Sequence, residues 1–297
     1  MRALLPRVPV RAVGRQDPAG RAGLRAHRNA GRGVSAVPPA SLWLVGCGNM
    51  AGAMLRRWID AGTVDPARVF VVNRQDRALP QGVRQGRAFP DGPLPDAVML
   101  GMKPQQIDAV AEAHGARIAR VPLLISILAG VELASLAGRF RAGGIVRAMP
   151  NLPVAIGKGV VGLAGDHSAP VDALMRPLGL VEWGDEAGLD RLGVLAGCGP
   201  AFVYRFIDAL AAGGVSIGFG EEQALRLAVA TVEGAGLLAA QAELPPSALV
   251  EQVASPGGTT RKGLDVLDAD DALAALLRAT LGASARRSAE MAAAARR

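Results

Sequence analysis

The chain is poor in the residue types that most often carry chemistry unaided. Cysteine occurs only as Cys47 and Cys198, and histidine only at positions 27, 114 and 167. Neither set has metal-ligand spacing, and two cysteines make no disulfide framework. Aromatic residues are 3% of the 297, so Ala, Gly, Leu and Val supply the apolar half of the composition. The longest apolar run, VPLLISILAGV at 121–131, lies between Arg120 and Glu132 and falls short of the ~20 residues of a membrane-crossing helix. No secretory apolar segment is visible either, and a soluble cytoplasmic protein without a membrane partner is the expectation.

Acidic residues are scarce in one place only. Residues 1–40 hold eight Arg and a single acid, Asp17, which accounts for the whole net charge of +7 and leaves 41–297 neutral. A folded nucleic-acid binder carries its basic stripe on the domain itself, so nucleic acid is not an expected partner. The segment keeps no hydrophobic period and is expected to be a disordered Arg-rich tail. Its low Ser content and its Pro and Gly favour a dispensable extension over a targeting role.

From residue 41 to 186 the pattern is strand and helix in alternation. SLWLVGCGNMAGAMLRRWIDAG is an apolar strand, a glycine turn and an amphipathic helix. ARVFVVNR, DAVMLGMK, PLLISILAG and GIVRAMPN follow as buried strands, with helices between the later ones. This alternation predicts an α/β domain with a doubly wound parallel sheet of Rossmann type. KGVVGLAG and LGLVEWG flank a short helix and extend the sheet edge. Residues 187–297 read as helical throughout, in long faces of small apolar residues that one small bundle cannot bury. A helical domain that packs against another copy of itself is the expectation.

Gly46-Cys47-Gly48-Asn49-Met50-Ala51 fits G-x-G-x-x-G/A in the required setting, after a strand and opening a helix. The first glycine permits the turn, the second admits a pyrophosphate, and Ala51 allows close helix–strand packing. At the end of the second strand, where NAD sites carry Asp or Glu, stand Asn73 and Arg74. Arg pairs with a 2′-phosphate and Asn hydrogen-bonds to it, so NADPH is the expected cofactor, with NADH not excluded. Lys103-Pro104 and the stiff RAMPNLPVAIGKG loop lie at strand ends where such folds bind ligands. Gly197-Cys198-Gly199-Pro200 opens a helix, with close packing slightly favoured over ligand contact and Cys198 expected to be buried.

Together GCGNMAGAM, the Asn-Arg pair, MKPQ, SILAGV, VRAMPNLPVAIGKGV, GCGPAFVYRFIDALAAGGVSIG and VASPGGTTRKGLDVL resemble pyrroline-5-carboxylate reductases, in the same order. The likeness runs from residue 42 to about 290. It implies NAD(P)H-dependent reduction of 1-pyrroline-5-carboxylate to L-proline and a homodimer or homodecamer of interleaved helical domains. It implies cofactor contacts at Gly46, Gly48, Asn49, Met50, Asn73, Arg74, Met102, Lys103 and Pro104. It assigns the substrate to Ser255, Gly257, Gly258, Thr259 and Thr260, whose backbone N–H groups would cradle the carboxylate. Thr260 is the candidate catalytic residue, near the imine nitrogen. Cys198 and Leu244 depart from the family's usual Ser and His, and Phe202 from its frequent Tyr.

Two other functions fit parts of this pattern. A 3-hydroxy acid dehydrogenase would need a catalytic lysine in the helical part, where the only Lys is Lys262 of the SPGGTT signature. A non-catalytic NADP-binding regulator would have lost the substrate loop. A reductase of another cyclic imine remains the nearest alternative.

Overall fold

The computed structural model describes residues 37–295. The expected tail, apart from residues 37–40, lies outside the described residues. Those residues divide into two compact units, 37–200 with 281–295, and 201–280.

The first unit is built on eight strands, β1 (Leu42–Val45), β2 (Val69–Val72), β3 (Arg84–Gly86), β4 (Ala97–Leu100), β5 (Leu123–Ser126), β6 (Ile145–Pro150), β7 (Gly159–Gly165) and β8 (Gly179–Trp183). They form one sheet in the order β3-β2-β1-β4-β5-β6-β7-β8, whose first six strands have the dinucleotide-binding order. Helices α1 (Asn49–Asp60), α2 (Ile107–Ile118), α3 (Leu133–Arg139) and α4 (Ala169–Met175) cover it. Alternate residues of β1 feed opposite cores. Leu42 and Leu44 pack with Met54 and Trp58 of α1 and Leu174 of α4. Trp43 and Val45 pack with Ile107 and Ile118 of α2 and Leu136 of α3. Strands buried on both faces account for the nearly continuous apolar runs in the sequence. Trp58 Nε1 donates to Leu174 O at 2.7 Å, joining α1 to α4 on one face.

Two features differ from the expected parallel sheet. β6 and β7 pair antiparallel, from Val146 opposite Gly165 to Pro150 opposite Val161. The connection between them is a single turn of 3-10 helix, Leu152–Ile156, closed by left-handed Gly157. A parallel return needs a crossover of a dozen residues or more, and this loop is too short; β8 regains the direction of β7 because α4 crosses between them. The other feature is β3, a polar three-residue strand (Arg-Gln-Gly) beside β2 that carries no hydrophobic pattern.

After β8, α5 (Glu186–Leu192) and a π-helical turn, Gly193–Gly197, still belong to the sheet unit. Arg147 on β6, only 3% exposed, pairs with Glu186 and lies 3.7 Å from Asp190. Glu186 also accepts Leu133 N–H at 2.9 Å.

The second unit holds α6 (Gly199–Ser216), α7 (Glu221–Gln241), α8 (Pro246–Val253) and α9 (Thr259–Asp268); α10 (Ala272–Ala295) begins in it. Its own buried core among the described residues is slight: Ala211, Ala224 and Ala228, with Ile207 against them. Val203, Phe206, Leu210, Leu225, Leu227 and Leu276 are exposed. The continuous helical run Glu186–Ser216 is long and apolar enough, by length and composition, to cross a membrane.

Candidate nucleotide and substrate sites

The glycine turn after β1 is shaped by crowding on one side and space on the other. Gly46 has φ +84° and donates its N–H to Val72 O at 2.8 Å. A Cβ there would stand 2.7 Å from Met102 Cα and N, so no side chain fits. At Gly48, the residue before α1, a Cβ would meet nothing within 4 Å. Ala51 is buried against Gly101, where a Cβ would come within 2.9 Å of it. The first intrahelical bond of α1 runs from Gly52 N–H to Gly48 O at 2.8 Å. The N–H groups of Asn49, Met50 and Ala51 precede it at a helix end with no side-chain cap. Open backbone, unpaired N–H groups and the positive end of the helix dipole fit a dinucleotide pyrophosphate.

The other expected cofactor residues gather around this turn. Met102 packs beside Gly46, and Lys103 and Pro104 continue from β4 into the 3-10 turn that leads to α2. Asn73 directly follows β2 and is buried, and its Oδ1 accepts Cys47 N–H at 2.9 Å. Its side chain thereby ties the end of β2 to the glycine turn. Arg74 beside it is exposed. Asp76, the nearest acid, is in an ion pair with Arg87 at 3.0 Å.

Sequence spacing missed two further cations here. A cavity of about 230 Å³ is bounded by Cys47, Gly48, Asn49, Gly52, Arg56 and Arg77, among others. Arg56, one turn after Gly52, folds back so that its Nη1 lies 3.4 Å from where a Gly52 Cβ would be, beside Cys47 Sγ. Burial pushes the Cys47 thiol above its ordinary pKa, and the charges of Arg56 and Arg77 pull it partly back. Helical fold-back and a loop reaching across twenty residues leave no signature in a motif.

At the far end of β6, Asn151 is buried; its Oδ1 accepts Val160 N–H at 2.8 Å and its Nδ2 donates to Ala196 O at 2.9 Å. The close approach expected at Gly197 and Gly199 falls instead at Gly193, where a Cβ would lie 2.4 Å from Met149 Sδ. Around Gly197 and Gly199 the corresponding space is open. Cys198, expected to be buried, is exposed, at the head of a helix whose apolar face is also open.

In the helical unit the expected substrate residues share one turn. Gly257 has φ +72°, and Gly258 N–H returns to Ser255 O at 3.0 Å. A Cβ on Gly258 would stand 2.6 Å from Ser255 Oγ. The first bond of α9 is Lys262 N–H to Gly258 O at 3.2 Å, so the N–H groups of Thr259, Thr260 and Arg261 come before it, and both threonines are exposed. Arg261 went unnoticed in the sequence. Its Nη2 donates to Glu251 Oε2 at 2.6 Å and to Ala254 O at 3.2 Å, which clamps the turn to α8.

Residues 186–291 match the family described as pyrroline-5-carboxylate reductase dimerisation, and residues 41–130 that of NADP oxidoreductase, coenzyme F420-dependent. The pyrroline-5-carboxylate reductase of Synechocystis sp. is 36% identical over 84% of this chain and 97% of its own. The chain belongs to the pyrroline-5-carboxylate reductase family. Its members are NAD(P)H-dependent oxidoreductases that reduce the cyclic imine to proline. A solved pyrroline-5-carboxylate reductase from Coxiella burnetii is 31% identical, with a TM-score of 0.77 over 85% of this chain and 98% of its own. The Plasmodium falciparum pyrroline carboxylate reductase solved with NADP bound shares the fold at 23% identity, with a TM-score of 0.73 over 85% of this chain and 98% of its own.

Proposed function

We propose that the family's reaction is performed here by two helix starts, one for each partner in the reduction. Residues 41–186 form the nucleotide-binding domain, with Gly46, Gly48, Asn49 and Met50 at the pyrophosphate and Arg74 at the 2′-phosphate. Met102, Lys103 and Pro104 line the same strand ends. Residues 187–297 form the dimerisation and substrate domain. Bound NADPH supplies the hydride, and the protein supplies orientation and charge.

The substrate carboxylate lies on the N–H groups of the Ser255–Thr260 turn, where the dipole of α9 favours an anion. Gly257 and Gly258 keep that backbone bare, and the Arg261–Glu251 clamp holds its shape. Thr260, exposed at the first turn, hydrogen-bonds the imine nitrogen and relays to it a proton from solvent as the neighbouring carbon accepts the hydride. The observation that carries this reading is the exposed, uncapped start of α9 directly after two glycines. The open apolar faces of α6 and α7 pair with a second copy, giving a homodimer that stands alone or builds a homodecamer, in the cytoplasm and without nucleic acid. Lipid is disfavoured for the 186–216 run because Glu186 is held by buried Arg147 and Leu189 is buried in the same unit.

The test is NADPH oxidation by the purified protein with pyrroline-5-carboxylate and with other cyclic imines. Turnover of pyrroline-5-carboxylate to proline is expected. A protein that binds NADPH yet turns over only another imine would refute the substrate assignment.

A further inference from the structure

We infer that Arg56 and Arg77 complete, with Arg74, a three-guanidinium seat for the adenosine 2′-phosphate, so that NADPH selectivity rests on all three. The inference depends on residues 46–51 being the nucleotide turn. Among the described residues none of the three guanidinium groups is in an ion pair, although neighbouring Arg87 is held by Asp76. That pair also occupies the acid closest to the end of β2, the type of residue that would bind a free ribose 2′-hydroxyl and repel a phosphate.

The Arg56 guanidinium is brought to the glycine turn because residue 52 has no side chain. Arg77 is fixed from the other wall by its backbone. Its N–H donates to Gln85 Oε1 at 3.1 Å, and its carbonyl accepts Gln85 Nε2–H at 2.9 Å. Both arginines bound the cavity that begins at Gly48 and Asn49. Its volume of about 230 Å³ is below the ~300–1,000 Å³ of sites that enclose a drug-sized ligand. It suits one phosphorylated ribose, not a whole dinucleotide. Burial raises the pKa of the Cys47 thiol beside Arg56, which favours its uncharged form. A dianionic phosphate supplies the missing partner, and guanidinium forks match its oxygens.

The experiment is calorimetric titration of 2′,5′-ADP and of 5′-AMP, which differ by the 2′-phosphate alone, into the full chain and into Arg74→Ala, Arg56→Ala and Arg77→Ala. Each variant should lose about 10- to 100-fold in affinity for 2′,5′-ADP, the range of one charge-assisted hydrogen bond, with 5′-AMP affinity nearly unchanged. Arg56→Lys, which keeps the charge without the fork, should lose less than Arg56→Ala. Equal losses on both ligands at positions 56 and 77 would show general charge attraction and overturn the inference. So would unchanged 2′,5′-ADP affinity in those two variants, with loss confined to Arg74→Ala. A wild-type protein that binds the two ligands equally would sink the NADPH reading as well, which separates the two failures.

Discussion

Asn73→Ala separates the frame of the nucleotide turn from its contacts with ligand. Asn73 Oδ1 accepts Cys47 N–H at 2.9 Å, and both residues are buried. The turn has little freedom to find another acceptor, because Gly46 already sits against the Met102 backbone. Leaving a buried donor unsatisfied costs about 1–3 kcal/mol. At roughly 2–4 °C per kcal/mol for a chain of this size, Tm should fall by about 2–12 °C. The displaced turn carries the N–H groups of Asn49 and Met50 with it, so Kd for NADPH and for NADH should rise together. Asn73→Asp is the companion variant. It keeps an acceptor for Cys47 N–H but sets a negative charge beside Arg74, so Tm should hold while NADPH affinity falls selectively. Thermal unfolding followed by circular dichroism and titration with each cofactor measure both effects. An unchanged Tm in Asn73→Ala, combined with selective loss of NADPH, would refute this reasoning and make Asn73 a direct phosphate ligand.

Thr260→Ala should lower turnover by about 3- to 150-fold, the span between a neutral and a charged hydrogen bond, with cofactor affinity intact; wild-type kinetics would remove Thr260 from the mechanism. Gly258→Val should instead raise KM for the imine, because its Cβ would stand 2.6 Å from Ser255 Oγ and 3.1 Å from Ser255 O. Residues 41–297 alone should fold, keep activity and elute from a sizing column as at least a dimer, and a monodisperse monomer would contradict the paired-helix reading. His114, its ring tilted against Phe89 with centroids 4.5 Å apart, has its pKa held below the ordinary value by burial and then by Arg117. As pH falls through about 6.5 the unfolded chain takes up a proton that the folded chain refuses, so stability should decline there and level off below the folded value. Urea unfolding of the wild type and His114→Gln across that range should show the slope reduced in the variant.

Much of this was legible in the chain because its signals are local. The glycine turn, its flanking strand and its helix lie within residues 42–60, and the substrate turn lies within 255–260. β3 was silent because a three-residue polar strand has neither period nor apolar content, and only the edge of β2 recruits it. The direction of β7 was legible in principle from the length of its connection, which strand propensity ignores. Arg56, Arg77 and Arg261 could not be picked from the other arginines, since their roles come from fold-back and cross-loop contacts. Cys198 was misplaced because small apolar neighbours imply burial, whereas in this chain that helix face is open.

Gly46 and Gly48 lie two residues apart in one motif, yet they answer to different forces. A side chain at 46 meets the backbone of Met102 whether or not any ligand exists; a side chain at 48 meets nothing the protein itself owns. Selection for a folded, soluble chain would therefore hold position 46 to glycine and let position 48 drift, while selection for growth without added proline would hold both. The difference between the two surviving libraries would draw the outline of the cofactor in the protein's own substitutions.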